Sequence, residues 1–242
     1  MKKQELFETL RVRILTQDLP PGSGMDEAQF AAEYCVSRTP LREVFHRLAG
    51  GGYITLETNR GAAVSSMSLE VMRNFFQTAP MIYAAIARLA AENATTTEVT
   101  RLKAVQQKFK RAVKKSDITE MSISNHRFHE EMGEIAASPY LTPSLQRLLI
   151  DHTRMSQTFY RTRSAEEKQR VASACDQHDE MIDAISLHQA ARCVELTLDH
   201  WALSRDRIEL YVQPDPLPED PQEHLSGEYS NRSQRGSNDN AV

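Results

Sequence analysis

The segment Val36–Ile54, VSRTPLREVFHRLAGGGYI, decides the fold of the N-terminal part of the chain. Ser37 favours the N-cap of a helix, and Pro40 is tolerated because the first helical turn has no internal donors to lose. Three apolar residues recur at helical spacing, namely Leu41, Phe45 and Leu48. We therefore predict an amphipathic helix that begins at Ser37 and ends at a run of three glycines.

Two helices are predicted before this segment, Lys3–Thr16 and Glu27–Tyr34. The first carries an apolar stripe of Leu6, Leu10 and Ile14. After the glycines, Tyr53–Leu56 and Ala62–Val64 flank a polar stretch and predict a small β-hairpin, or wing. A helix, a tight turn, a second helix and a wing are the elements with which proteins place one helix in the major groove of DNA.

Four polar residues lie at the start of the second helix of this motif, namely Ser37, Arg38, Thr39 and Arg42. Arginine donates bidentately to guanine, and backbone amides at a helix start bind phosphate. The alternative is that the two arginines are solvated charges on an amphipathic helix.

The charge distribution limits how the chain can bind nucleic acid. The formal net charge is −4, and all of it arises in residues 213–242, which hold two basic and six acidic residues. Residues 1–66 and 67–212 are each neutral. Affinity for DNA must therefore come from a local cluster of arginines rather than from bulk charge.

Composition indicates a soluble globular protein, since 40% of the residues are hydrophobic and no apolar run approaches the ~20 residues of a membrane span. The N-terminus lacks the apolar region of a signal peptide. Three widely spaced cysteines, Cys35, Cys175 and Cys193, predict buried hydrophobic residues rather than disulfides. A cytoplasmic location is expected.

Helical periodicity continues through residues 68–212, with breaks near residues 95–97, 138–139 and 162–164. The pattern predicts a mostly α-helical protein with an all-helical antiparallel bundle behind the winged helix. The expected domains are residues 1–67, 68–212 and an acidic tail, 213–242, whose Pro, Ser, Asn and Asp content predicts disorder.

Polar residues on the apolar stripes of the bundle point to a site. Asn125 and His129, one turn apart, share a stripe with Met121, Phe128, Met132 and Ile135. His178 and His200 lie on apolar stripes near the C-terminus, whereas His126 is expected on a solvated face. Imidazoles with an oxygen ligand suit zinc, nickel or manganese. Each histidine alone is more often a satisfied core residue, whereas the three together are as consistent with a metal site as with core packing.

The motifs VSRTPLREVFHRLAGGGYI, RGAAV (60–64) and PPGSGMDEAQFAAEYC (20–35) resemble the signature of the GntR family of winged-helix regulators. The resemblance implies contacts with bases or phosphates by Ser37, Arg38, Thr39 and Arg42. It also implies that Arg60 and Gly61 reach the minor groove or its backbone. Ala28 departs from the family, in which a basic residue often stands at this position.

Residues 68–212 resemble the FCD ligand-sensing domain of one GntR subfamily, through NHRFHE (125–130), QHDEMIDAI (177–185) and LDHW (198–201). The resemblance implies a metal site of Asn125, His129, His178 and His200, in which the metal coordinates a carboxylate of a small metabolite. Many relatives have aspartate in place of Asn125.

A second departure concerns the ligand. Ala79 and Tyr83 stand where relatives often have arginine and glutamate, so Tyr83 either lines the ligand cavity or packs in the core.

The predicted function is a homodimeric transcriptional regulator that binds a pseudo-palindromic operator and responds to a small organic acid. The resemblance implies repression that the ligand relieves, and activation stays open. Two alternatives stay open at this point. One is a metal-dependent hydrolase, although Glu130, the acidic residue beside His129, is expected to face solvent. The other is a metal-free sensor whose histidines bind the ligand directly.

Overall fold

The structure is a computed structural model that describes residues 2–57, 61–162 and 164–209. Its N-terminal part consists of three helices and a small sheet. The helices are α1 (Lys3–Leu15), α2 (Glu27–Glu33) and α3 (Arg38–Gly50), and the strands are β1 (Gly24–Met25), β2 (Ile54–Glu57) and β3 (Gly61–Val64). The predicted helices and the hairpin are therefore present, with ends that agree to within a few residues.

The sheet is antiparallel, in the order β1-β3-β2. In the hairpin, Ile54 lies opposite Val64 and Thr55 lies opposite Ala63. The short β1 adds Gly24 on the other side of Ala63 and was not predicted, because two residues show no periodicity. The tip of the predicted wing, residues 58–60, lies outside the described residues.

The core of the winged helix is built from the predicted stripes. Leu6, Leu10 and Ile14 of α1 are at most 1% exposed, as are Leu41, Phe45 and Leu48 of α3. Because the apolar side of α3 is held against α1 and α2, its polar first turn is turned outward.

Six helices form the remaining described part, as an all-helical bundle. They are α4 (Leu69–Asn93), α5 (Thr96–Lys115), α6 (Ile118–Ala136), α7 (Leu141–Phe159), α8 (Ala165–Ser186) and α9 (Ala190–Glu209). The three predicted breaks coincide with the ends of helices. The predicted fold class, a mostly α-helical chain with a winged helix and a helical bundle, is confirmed.

Two further breaks were not predicted, one at Ser116–Asp117 and one at residues 187–189. Ser116 and His188 adopt left-handed backbone conformations, with φ of 53° and 54°. A single left-handed residue can end a helix. Since neither turn contains glycine or proline, the composition gave no signal for them.

The winged helix contacts the bundle mainly through α7. The Gln17 side-chain amide donates to the Arg154 carbonyl over 2.6 Å, and Arg154 Nη1 donates to the Ser65 carbonyl over 2.7 Å. Gly52, with φ of 81°, lies so close to Arg147 that an added Cβ would be 2.6 Å from its Cδ. The domain boundaries at residues 67 and 212 stay predictions, and the predicted tail, 213–242, lies outside the described residues.

The prediction for the cysteines was wrong in part. Cys193 is buried, Cys175 is half-buried, and Cys35 is exposed in the turn between α2 and α3 with φ of 52°. Because Cys35 lies in a short surface turn, its side chain is not covered by the core of the winged helix. Among the described residues, no helix combines the length and the apolar character needed to cross a lipid bilayer.

Candidate functional site

The first turn of α3 presents exposed polar groups, because Ser37, Arg38 and Thr39 all face solvent. Ser37 is the N-cap residue, as predicted, but its side chain makes no capping hydrogen bond. By contrast, Asp26 accepts from the Gln29 amide at the start of α2. The first amides of α3 are therefore not capped by Ser37, a condition that suits phosphate binding.

The two arginines of α3 differ in their surroundings. Arg38 forms no ion pair with any residue that the structure describes. Arg42 Nε donates to Glu27 Oε2 over 2.8 Å, and its side chain is 59% exposed. An exposed pair of this kind contributes little free energy, so Arg42 can leave Glu27 for a stronger acceptor.

Arg38 and the base of the wing line one groove of about 540 Å³. Gly61 lies across this groove in a left-handed conformation, with φ of 83°, and exposed Ala28 lines it as well. Arg38 and Gly61, predicted from separate motifs, are thus brought together. Arg60, the other predicted wing residue, lies outside the described residues.

Three predicted ligands converge in the bundle from three different helices. His129 of α6, His178 of α8 and His200 of α9 each offer a ring nitrogen, and these atoms all lie within 4.8 Å of one another. The ring centres of His178 and His200 are 4.6 Å apart, and His129 is 5.5 Å and 5.6 Å from them. The fourth predicted ligand, Asn125, lies one turn before His129 and is 2% exposed.

Several polar atoms at this cluster are buried without a hydrogen-bond partner among the described residues, namely Asn125 Oδ1, His129 Nε2 and His178 Nε2. A buried polar atom without a partner is costly, and native proteins rarely keep one. Lone pairs of imidazole and amide oxygen are suitable ligands for a divalent transition metal. The donor set therefore fits such an ion.

The histidines of the cluster are held in their neutral form. Burial lowers the pKa of His129 and of His178 well below the ordinary value, and the neighbouring imidazoles lower it further. Burial also lowers the pKa of His200 to about 3. Neutral imidazole is the form that binds metal.

Two residues beside the cluster were missed by the sequence reasoning, His152 of α7 and Trp201 of α9. The Tyr83 hydroxyl lies 2.7 Å from His152 Nδ1, and the Tyr83 ring is 5.2 Å from that of His129 and 5.4 Å from that of Trp201. Burial lowers the pKa of His152 to about 4. His152 follows Leu145 and Leu149 at helical spacing, so the stripe argument would have found it.

The prediction that His126 is solvated was wrong. It is 3% exposed, and its Nδ1 lies 2.7 Å from Thr153 Oγ1 while its Nε2 lies 3.5 Å from Arg11 Nη1. α1 and α7 cover this face of α6, which the periodicity of α6 alone cannot reveal. The side chain of Glu130, expected in solvent, is only 20% exposed and pairs with Arg127.

A winged helix with exposed arginines at its recognition helix, joined to a helical bundle, defines a DNA-binding regulator. Family models agree, since "Bacterial regulatory proteins, gntR family" matches residues 2–64 and "FCD domain" matches residues 76–203. The chain belongs to the GntR family of bacterial regulators and contains an FCD domain.

Individual relatives support the same conclusion. The HTH-type transcriptional repressor RspR of Escherichia coli (strain K12) is 28% identical over 133 residues, which are 55% of this chain and 58% of RspR. The gluconate operon transcriptional repressor of Bacillus subtilis (strain 168) is 23% identical over 83% of this chain and 82% of its own length. The solved structure of E. coli McbR/YncC has a TM-score of 0.72 at 16% identity, covering 87% of this chain and 98% of that one.

The family to which the chain belongs consists of bacterial regulatory proteins, and the relatives named above are transcriptional regulators rather than enzymes. The alternative of a metal-dependent hydrolase is therefore set aside.

Proposed function

We propose that the chain is a homodimeric repressor that binds a pseudo-palindromic operator and releases it in response to a small organic acid. The acid would bind at a divalent transition metal, zinc, nickel or manganese, held by Asn125, His129, His178 and His200. The observation that carries the proposal is the convergence of three imidazoles, two of them buried and that of His200 half-buried, whose nitrogen atoms lie within 4.8 Å of one another.

Reading of the operator is assigned to the exposed start of α3 and to the wing. Arg38 and Arg42 would donate to guanine edges in the major groove, and Ser37 and Thr39 would contact bases or phosphates. The uncapped amides at the start of α3 favour a phosphate at the same place. Arg60 and Gly61 of the wing would contact the minor groove or its backbone.

The charge of the metal site favours an anionic effector. Three imidazoles and one amide add no negative charge, and in the described part of the chain no carboxylate belongs to the cluster. A bound divalent ion would supply an electrophilic position for a carboxylate oxygen of the effector. The protein residues would hold that ion without neutralising it, so an anion gains more here than at a site that includes aspartate.

Tyr83 and His152 are the candidates for the remaining contacts with the effector. The two side chains are hydrogen-bonded to each other beside His129. Tyr83 is only 3% exposed, and burial raises the pKa of its hydroxyl well above 10, so it stays a neutral donor. An effector carboxylate or hydroxyl at the metal would lie within reach of these groups.

The link between effector and operator is assigned to α7, which contacts both parts. His152 bonds to Tyr83 on the side of the histidine cluster, and Arg154, two residues later, donates to the Ser65 carbonyl between β3 and α4. A shift of α7 on effector binding would therefore move the attachment of the winged helix. Such coupling requires that the effector bind more tightly to one arrangement of the winged helix and the bundle than to another.

Repression and dimerisation rest on the relatives and on symmetry. The B. subtilis relative is named a repressor of a gluconate operon, and gluconate is an organic acid. Two winged helices related by a two-fold axis would read matching half-sites of an operator.

Metal analysis and effector titration test this function together. We expect about one zinc, nickel or manganese ion per chain of purified protein. We also expect candidate organic acids to weaken operator binding in a fluorescence anisotropy assay. His178→Ala should abolish both metal binding and the response to acid, while operator binding without acid stays unchanged.

The matched control is His188→Ala, because His188 is a histidine of the bundle that bonds to the Ala91 carbonyl and is not part of the cluster. It should keep the metal and the response. A response to acid without metal, even after incubation with all three ions, would support direct binding of the acid by the histidines. Absence of any operator binding would contradict the repressor itself.

A further inference from the structure

Gln106 of α5 is a buried polar side chain that the proposed site does not include. It is 1% exposed and lies on the inward face of α5, between Leu102 and Phe109, which are both fully buried. A buried amide needs partners for its oxygen and its two N–H groups. Its hydrogen-bond partners among the described residues all belong to α8, and one of them is His178.

The orientation of the Gln106 amide follows from its partners. Nε2 lies 2.9 Å from the Cys175 carbonyl oxygen and 3.2 Å from Asp179 Oδ1. A carbonyl oxygen can only accept, so the NH₂ group must be the one that faces it. The carbonyl oxygen Oε1 of Gln106 therefore faces His178 Nδ1, at 3.1 Å.

This orientation fixes the tautomer of His178. The Gln106 oxygen carries no hydrogen, so His178 Nδ1 must carry the proton of the hydrogen bond. Neutral imidazole is the form that binds metal, and it has only one N–H. The lone pair is consequently on Nε2, which is the buried atom of His178 without a partner among the described residues.

We propose that Gln106 is a positioning residue that holds His178 in the Nδ1–H tautomer and so presents Nε2 to the metal. The inference rests on the proposed metal site. Partners of this kind commonly fix the ring and tautomer of metal-binding histidines, and a carboxylate often fills the role. Here the partner is an amide, and the Gln177 Oε1 atom, 3.2 Å from His200 Nδ1, repeats the arrangement. The outer contacts of these two histidines therefore also add no negative charge to the site.

The experiment uses the full-length chain, first without metal. Two-bond ¹H–¹⁵N spectra distinguish a protonated ring nitrogen from a bare one. We expect His178 to show a protonated Nδ1 and a bare Nε2 in the wild type. In Gln106→Leu, which has no acceptor, we expect the Nε2–H tautomer to appear.

Metal titration gives the second readout. Loss of a partner of this kind typically costs ~10–100-fold in metal affinity, and we expect that loss for Gln106→Leu. The double variant Gln106→Glu with Asp179→Asn keeps an acceptor for His178 Nδ1 and reverses the hydrogen bond to residue 179, but it loses the donor to the Cys175 carbonyl, so it should recover the tautomer and only part of the affinity. Gln107→Leu changes the exposed neighbour and should have no effect.

A melting curve for each variant separates loss of folding from loss of positioning. The inference is overturned if the metal-free wild type holds His178 as Nε2–H. It is equally overturned if folded Gln106→Leu keeps both the wild-type tautomer and the wild-type metal affinity. If the wild type binds none of zinc, nickel and manganese, the metal site of the proposed function fails, while the tautomer measurement still decides the role of Gln106.

Discussion

The start of α3 and the histidine cluster both present polar groups that have no partner in the described part of the chain, but the two regions do so in opposite surroundings. At α3, Arg38 is exposed and charged, and water satisfies its donors at no cost. In the cluster, His129 and His178 are buried and neutral, and no water-exposed surface serves their Nε2 atoms. Exposed charge allows weak, salt-sensitive contacts with many anions, whereas buried lone pairs select one kind of partner strongly.

The comparison also shows why the two regions differ in their dependence on the fold. The arginines of α3 keep their charge in any conformation. The neutral state of the histidines exists only while the bundle excludes water. Conditions that loosen the bundle should therefore affect the cluster first.

Acid should reveal the largest difference between the two regions. Four buried histidines keep their neutral form in the folded chain, namely His126, His129, His152 and His178. In the unfolded chain they bind protons below about pH 6.5, so stability is full above that pH and falls as the pH drops towards 4. Each contributes a slope of up to ~1.4 kcal/mol per pH unit.

Urea unfolding of the metal-free protein between pH 7.5 and 4.5 measures this slope. Added zinc should raise the stability most at neutral pH, since the ion binds only neutral imidazoles. A free energy of unfolding that stays constant from pH 7 to pH 5 would contradict the buried neutral cluster.

Removal of the two arginines should give the next largest effect, and it should be confined to DNA. A bidentate arginine–guanine pair contributes ~1–3 kcal/mol, so Arg38→Ala with Arg42→Ala should weaken operator binding by about 100-fold or more. Metal affinity and melting temperature should not change. Quantitative footprinting and anisotropy measure the loss.

Arg192→Ala is the control for the arginine variant, because Arg192 is exposed on α9 and pairs only with Glu180 and Glu195 among the described residues. It should bind the operator like the wild type.

Glu27→Gln should raise the affinity for the operator a few-fold by releasing Arg42. An unchanged footprint for the double arginine variant would show that α3 does not read bases.

A smaller effect is expected where the two regions are joined. Arg154 is fully buried and bridges α7 to the Ser65 carbonyl, with Asp151 Oδ1 3.3 Å from its Nη2. Arg154→Met combined with Asp151→Asn removes both buried charges and avoids leaving one unpaired. We expect the variant to bind metal and operator but to lose most of the response to acid, a coupling of ~1–3 kcal/mol in regulators of this kind.

The response is the ratio of operator affinities with and without acid, measured in the same buffer. Asp151→Asn alone keeps the bond from Arg154 to Ser65, but it leaves the buried Arg154 without its carboxylate, so its melting temperature is measured alongside its response to acid. A full response to acid in the double variant would show that this contact of α7 does not couple the two regions.

The smallest predicted effect concerns the charge of the metal site. Asn125→Asp places a carboxylate beside the three imidazoles, and we expect metal affinity to rise about tenfold, or ~1.4 kcal/mol. Without metal, the same variant should be less stable than the wild type at neutral pH, because a buried carboxylate lacks a partner. Melting curves with and without chelator test whether the variant is stabilised by the metal and destabilised in its absence. Equal stability in both conditions would place Asn125 away from the ion.

Much of the fold and part of the candidate site could be predicted from local sequence patterns. The apolar stripes of α1 and α3 predicted the winged-helix core because each stripe is a periodic property of one helix. The same reasoning selected Asn125 and His129 for the interior of α6. It failed for His126, whose burial depends on α1 and α7, two elements far away in sequence.

The sequence by itself determined the two kinds of structure, the exposed arginines of α3 and the inward faces that carry the histidines, since periodicity fixes which side of a helix meets the core. Only the tertiary structure decided the distances between His129, His178 and His200, the position of Tyr83 and His152 beside them, and the contact of Gln106 with His178. Those contacts join helices separated by many residues. Their distances depend on how whole helices pack, which no single stretch of chain encodes.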